Sequence, residues 1–267
     1  MKIKKLKLYN YMQFKDEQEI VFSTDEAKKV TLVTGGQATG KTTIVEAFRF
    51  IFYGKSEKYH WQMFNHEMIE KLKVGDTYEV NASTEIVYKG IEYLILRKQV
   101  YSKDETNVHI IAPDYVEVCY RDESGVSTTI TSNDANRMIC EIIQQNMFKY
   151  LFVGEQEFDE IVSEAIENCE VIRERDLSMC DMYLIIIKML ISGCIENIKF
   201  VNSYKSYPCI LDDIFKKLNT INTKKALDYI IQADRQIIIT SNDRDAEYID
   251  ENIKSFIGKK YLINNEV

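Results

Sequence analysis

Proline is nearly absent from this 267-residue chain, with Pro113 and Pro208 its only two. Glycine is sparse as well, at ten residues, and no stretch rich in Gly, Ser or Pro provides a flexible tether. Nothing repeats. The expectation is one domain with an N-lobe of about residues 1–165 and a C-lobe of about 166–267. The six cysteines (119, 140, 169, 180, 194 and 209) form no C-x-x-C pair and no ligand-like spacing with histidine. That excludes a zinc module and predicts reduced, mostly buried thiols. His60 and His66 lie six apart, so a helix would point them away from one another. There is no basic excess: 34 Lys and Arg face 42 Asp and Glu, a net charge of −8, which argues against coating nucleic acid by bulk charge. The longest apolar run, "MYLIIIKMLISGCI" (182–195), is short for a membrane span and contains Lys188, so it predicts a buried helix. The opening "MKIKKLKLYN" has lysines but no apolar segment of the signal-peptide kind, so a cytoplasmic protein is expected.

What is present begins with "KVTLVT" (29–34), a β-branched strand that runs straight into Gly35-Gly36-Gln37-Ala38-Thr39-Gly40-Lys41-Thr42-Thr43. The spacing Gly35-x-x-x-x-Gly40-Lys41-Thr42 is that of a phosphate-binding loop. Its glycines let backbone N–H groups converge on phosphate oxygens at a helix N-terminus. Apolar residues at Ile44, Ala47, Phe48 and Ile51 then recur at helical spacing, with Gly54 as the C-cap. Strand, glycine loop and helix together are the context that supports the motif. Lys41 would reach the β- and γ-phosphates and the Thr42 hydroxyl would bind Mg²⁺.

Further along, two strands (2–9 and 18–22) precede the loop, with "NYMQFKDEQE" turning between them. A second helical piece is expected near 60–72, then an antiparallel meander from "YEVNASTEIVYKG" to "YVEVCYRD", with turns at Lys89-Gly90 and Ser124-Gly125. A helix over 133–148 would be capped by Asn133 or Asp134. "YPCILDD" (207–213) is an apolar strand ending in carboxylates. It would place Asp212 beside the loop as a Mg²⁺ contact, with Asp213 as the general base toward water. A helix near 223–233 and the strand "QIIITSND" (236–243) follow, so the fold class is α/β with an added antiparallel layer.

These pieces resemble the SMC-like ABC ATPase heads of the RecF, SbcC and DndD kind, P-loop NTPases with a mixed sheet core, a β meander and a helical signature lobe. The resemblance rests on "MKIKKLKLYNYMQF", on Glu46-Ala47 and Tyr53-Gly54 in the helix after the loop, on the RecF-like "ILDDIFKKLN", and on "QIIITSND". It implies ATP and Mg²⁺ as ligands. It also implies a signature at "DLSMCD" (176–181), where Ser178 and Cys180 would meet the γ-phosphate held by a second copy, so that ATP joins two heads. "LFVGEQEFDEI" (151–161) stands at the Q-loop, with Gln156 as the metal and water contact; an alignment on "FVGE" puts Val153 there instead. Ser241 and Asn242 occupy the switch position, where many ABC proteins have histidine, though RecF-like proteins also lack it.

Departures from the pattern are as informative. Cys180 replaces the signature glycine, Asn219 the D-loop aspartate, Asp213 the usual glutamate, and Met12 a basic nucleotide contact. Only about 20 residues separate Gln156 from Ser178, far short of several heptads, and no zinc hook is present, so this would be a head without an arm. Lys2, Lys4, Lys5 and Lys7 could meet DNA phosphates or form a solvated strand face. The expected function is a slowly hydrolysing ATPase that dimerises around ATP and regulates a DNA-directed process, repair or anti-phage defence. It would do so as a homodimer or with an effector such as a nuclease, with no membrane involved. The alternatives are a transporter's nucleotide-binding subunit and a non-hydrolysing, ATP-bound scaffold.

Overall fold

A computed structural model describes residues 1–54, 63–122, 124–168, 177–193 and 206–263. His60, Cys169, Asp176 and Cys194 lie outside the described residues, as do the start of the helical piece expected near 60–72 and the end of the apolar run. In chain order the elements are β1 (Lys2–Tyr11), β2 (Phe14–Val21), β3 (Val30–Gly35), α1 (Lys41–Tyr53), α2 (His66–Lys71), β4 (Thr77–Tyr88), β5 (Ile91–Lys103), β6 (Val108–Ile110), β7 (Tyr115–Arg121) and β8 (Ser127–Thr131). Then come α3 (Ser132–Ile142), α4 (Phe148–Leu151), β9 (Phe152–Val153), α5 (Glu155–Asn168), α6 (Met179–Ser192), β10 (Cys209–Asp212), α7 (Thr220–Gln232), β11 (Ile237–Ser241), α8 (Asp243–Ile253) and β12 (Ile257–Ile263). The chain divides into two units, one built mainly from residues 3–22 and 43–146, the other from 23–42 and 147 onward.

The first unit carries an antiparallel sheet in the order β2-β1-β4-β5-β7-β8, with β6 on β5. Val80, Ala82, Thr84 and Ile86 alternate inward along β4. The β4–β5 hairpin closes through Lys89 (φ 49°) and Gly90 (φ 81°), both left-handed as a primed turn demands. The first hairpin turns more tightly than the sequence suggests. β2 starts at Phe14, and Asn10 and Met12 take positive φ at the turn. Its polar run "KDEQE" is a solvated outer strand whose carboxylates meet the lysines of β1: Lys7 with Glu17 at 3.3 Å and Lys5 with Glu19 at 3.2 Å. Helix α1 buries Ile44, Ala47, Phe48 and Ile51, and Gly54 (φ 83°) ends it as expected. Buried Arg97 holds that end: its Nε donates to the Ile51 carbonyl (3.0 Å), one Nη to Asn136 Oδ1 (2.7 Å) and the other to Asp114. Helix α3 begins earlier than expected. Its cap is Thr131, so Asn133 and Asp134 fall inside the first turn.

In the second unit five strands run β12-β3-β11-β10-β9, and every recorded pairing is parallel. β3 and β11 are buried at every position, the apolar signature of a covered parallel sheet. β9 is too short to announce itself in sequence. β12 was not expected either: as an edge strand it exposes Lys259, Lys260 and Leu262 and so lacks an apolar face. Helix α6 realises the buried run, with Leu184, Ile186, Ile187, Leu190 and Ile191 inside and Gly193 (φ 66°) as its left-handed cap. No helix among the described residues is long and apolar enough to cross a membrane. The thiols are less buried than expected: Cys209 is enclosed, but Cys119 and Cys180 are half-buried and Cys140 is exposed.

Candidate nucleotide-binding site

β3 delivers the chain to Gly35, where no side chain fits. A Cβ there would stand 2.5 Å from Thr39 Oγ1 and 2.6 Å from the Ile263 carbonyl of β12. Ala38 (φ 62°) and Gly40 (φ 104°) take left-handed conformations as the loop turns into α1. For Ala38 this costs about 1 kcal/mol, a local strain set against the loop's shape. Gln37 and Ala38 form the exposed rim, while Thr39 and Gly40 are buried and Thr39 Oγ1 donates to the Gly36 carbonyl (3.1 Å). Lys41 is 8% exposed and turns back into the loop, its Nζ donating to the carbonyls of Gly35 (2.9 Å) and Gly36 (2.6 Å). In the first unit, the Thr43 hydroxyl donates to Gln13 Oε1 at 2.5 Å, a partner the sequence did not single out.

β10 lies one strand away from β3, across β11, and ends at Asp212. This carboxylate is 3% exposed and accepts from the hydroxyls of Thr240 and Thr42. Burial pushes its carboxyl above the ordinary aspartate range, against the pull of those two hydrogen bonds; nearby Asp213 adds to the rise and Lys41 opposes it. Asp213 takes the left-handed region (φ 55°, ψ 23°), which Asp tolerates better than most residues, and its N–H donates to the Thr240 carbonyl (3.0 Å). Its Oδ1 is buried without a hydrogen-bond partner, as is Ser241 Oγ at the end of β11. Buried polar atoms without a partner are few in folded proteins, and each asks for an explanation such as a water, an ion or a catalytic role. Loop, Asp212, Asp213 and Ser241 thus gather at the carboxyl ends of three neighbouring strands, where ligands bind open parallel sheets.

The other expected site residues are placed differently. Val153 is the buried second residue of β9. Gln156 is exposed on the first turn of α5, and its amide donates to Glu160 (3.3 Å). Between them, Gly154 runs beside the site: a Cβ there would lie 3.8 Å from Asp212 Oδ2 and 2.7 Å from Glu157 Oε2. Ser178 caps α6, accepting from the Asp181 N–H (3.2 Å) and donating to the Asp181 carboxylate (2.6 Å), with Cys180 half-buried in the first turn. Asn219 and Asn242, both read as departures, are the N-caps of α7 and α8, accepting from the N–H groups of Asn222 (2.9 Å) and Asp245 (3.0 Å). Sequence reasoning missed Thr240, whose only signal is its place one residue before Ser241, and Lys216, described below. The β1 lysines are paired with carboxylates, Lys4 with Glu92 at 2.8 Å and Lys2 with Glu26 at 3.1 Å, so they form a neutralised face.

A family model described as an AAA domain matches residues 5–260, from β1 to β12. The chain belongs to the AAA domain family. The match takes in both the loop and Asp212, so the AAA domain accounts for a P-loop ATPase fold whose two halves of the site lie about 170 residues apart in sequence. Among solved structures the AAA domain is similar to an SMC head domain from Thermotoga maritima, with 15% identity, 93% of this chain and 92% of that chain covered, and a TM-score of 0.45. It is also similar to an SmcHead bound to the C-winged helix domain of ScpA, with 14% identity, the same coverages and a TM-score of 0.44. No curated protein matches the sequence.

Proposed function

We propose that this AAA domain binds ATP with Mg²⁺ at the loop and hydrolyses it slowly, with the nucleotide joining two copies of one head domain. The observation that carries the reading is the convergence of Lys41, Thr42 and Asp212, with the bare Oδ1 of Asp213 beside them. The Thr42 hydroxyl donates to Asp212, so a hydroxyl and a carboxylate of the kind that would hold Mg²⁺ lie side by side, and the unpartnered Asp213 Oδ1 and Ser241 Oγ are compatible with a hydrated ligand. Bound there, the ion would supply positive charge to the phosphates. Lys41 would exchange the Gly35 and Gly36 carbonyls for phosphate oxygens, and Asp213 would accept a proton from the attacking water.

The second copy is supported by the face that bears Ser178. Met179 is 52% exposed and Ile221 69% exposed at the first turns of α6 and α7, helices joined there by Asn222 donating to Asp181 (3.3 Å). Large apolar side chains left in water at two linked helix starts suit a surface that another copy covers. Slow turnover is supported by Cys180 in the signature and by the capping duties of Asn219 and Asn242. We further infer, from the sequence resemblance alone, a regulatory role in DNA repair or defence with an effector such as a nuclease; the pairing of the β1 lysines with carboxylates favours their reading as a solvated strand face.

The test is gel filtration with and without ATP. A shift to dimer, strongest in the hydrolysis-poor Asp213→Asn variant, is expected; a monomer under every nucleotide condition refutes the two-copy reading. The same capping roles favour a second reading, a non-hydrolysing scaffold. ATPase activity abolished by Lys41→Ala excludes it.

A further inference from the structure

β10 is followed by a short 3₁₀ turn, Ile214–Lys217, that ends in two lysines. Both reach α5. Lys216 Nζ lies 2.8 Å from Glu155 Oε2 and 3.5 Å from Asp213 Oδ2, while Lys217 Nζ lies 2.6 Å from Asp159 and 3.7 Å from Glu155. Lys217 also rests over the Phe158 ring, 5.8 Å from its centroid. One cation therefore bridges the Asp213 carboxylate and an acid on the first turn of α5, and its neighbour anchors the same turn.

Asp213 needs such help more than most residues. Its backbone is already left-handed, and its side chain is one methylene shorter than a glutamate. Its two oxygens are in unlike states: Oδ2 faces Lys216, while Oδ1 is buried with no partner. A carboxylate held by one oxygen presents the other in a fixed direction, the pre-organisation that a general base requires. We propose that Lys216, itself held by Glu155, is a positioning residue that fixes Asp213 so that Oδ1 faces the water attacking the nucleotide. Glu155, with burial opposing it, raises the Lys216 ammonium pKa above the ordinary lysine range, which keeps the bridge charged at neutral pH. The ion pairs are partly exposed and contribute little to stability, so their role lies in orientation.

This inference rests on the ATPase reading. The experiment measures steady-state hydrolysis and, separately, ATP affinity by calorimetry on the full chain for Lys216→Met, Lys216→Arg and Glu155→Gln. Lys216→Met is expected to lower kcat about 10-fold with the ATP Kd within about 2-fold, because the lost contact acts on the attacking water and not on the bound phosphates. Lys216→Arg should restore most of kcat, and Glu155→Gln should fall between. An unchanged or raised kcat in Lys216→Met, equal losses in kcat and affinity, or an arginine variant no better than the methionine one would overturn the role of Lys216 while leaving the ATPase reading intact. A wild-type chain with no Lys41-dependent hydrolysis would overturn the reading and the role together.

Discussion

Replacing Lys41 by methionine removes one ammonium and keeps most of the side-chain volume. In the free structure that ammonium serves the carbonyls of Gly35 and Gly36. Nucleotide binding asks it to exchange them for phosphate oxygens, and a hydrogen bond to a charged group contributes about 1.5–3 kcal/mol net. Since the loop carbonyls lose their donor on binding, a net loss of about 2 kcal/mol is expected for the variant, about 30-fold in the ATP Kd. Linkage makes this visible without a direct titration. At an ATP concentration about 100 times the wild-type Kd, ligand stabilises the wild type by about 2.7 kcal/mol and the variant by only about 0.9 kcal/mol. Urea unfolding with and without ATP and Mg²⁺ reads both. The variant's own stability, measured without ligand, should fall by about 1 kcal/mol because the buried Gly35 carbonyl and the half-buried Gly36 carbonyl lose their donor. A variant Kd within about 3-fold of wild type by calorimetry, with the free protein folded, would refute the assignment of this loop to nucleotide.

Other expectations follow from the same geometry. Gly35→Ala forces a Cβ to 2.5 Å from Thr39 Oγ1 and 2.6 Å from the Ile263 carbonyl; urea midpoints should show a loss of about 1–3 kcal/mol from this overpacking, and a neutral result would mean that the loop or β12 gives way. Asp212 binds its proton more tightly folded than unfolded, so it favours the folded state at acid pH, a contribution lost as pH rises through its raised folded pKa. Without ligand, Asp212→Asn should therefore stabilise the chain at neutral pH, by about 1 kcal/mol, with the advantage vanishing near about pH 4, even as ATP–Mg²⁺ binding weakens; a variant less stable than wild type at neutral pH would contradict this sign. Arg97→Met strips donors from Ile51, Phe52, Asn136 and Asp114 inside the first unit and is expected to cost about 3–5 kcal/mol in chemical denaturation. A cost under about 1 kcal/mol would mean that those groups find other donors.

Most of the candidate site at the carboxyl end of the parallel sheet was legible because its grammar is local. "GGQATGKTT" needs only its own glycines and the strand and helix that flank it, and "YPCILDD" announces a buried strand that ends in charge. Elements whose reason is non-local were not legible. β9 has two residues and exists because β10 pairs with it, and β12 looks polar because its outer edge faces water. Asn219 and Asn242 read as lost catalytic groups when compared with a pattern, yet each satisfies donors at its own helix start. Gln156 was placed at the Q-loop by resemblance; it lies exposed on the first turn of α5, with its amide donating to Glu160. Lys216 gave no signal, since a lysine after an acidic pair is commonplace and only the fold brings Glu155 to it.

Ser178 has a consequence of a different kind. Its hydroxyl already donates to an anion, the carboxylate of Asp181, which Ser178 and then Asn222 hold below the ordinary aspartate range. Under the two-copy reading that acid would be an internal decoy for phosphate. For the hydroxyl to reach a nucleotide on another copy, the decoy must first be let go, and it would remain nearby as a repelling charge. Assembly under the two-copy reading is therefore a competition between two anions for one donor. The apparent affinity of the heads for each other then scales with the fraction of time Ser178 is free, which makes the choice of residue at position 181 a dial on how much ATP the pair needs before it closes.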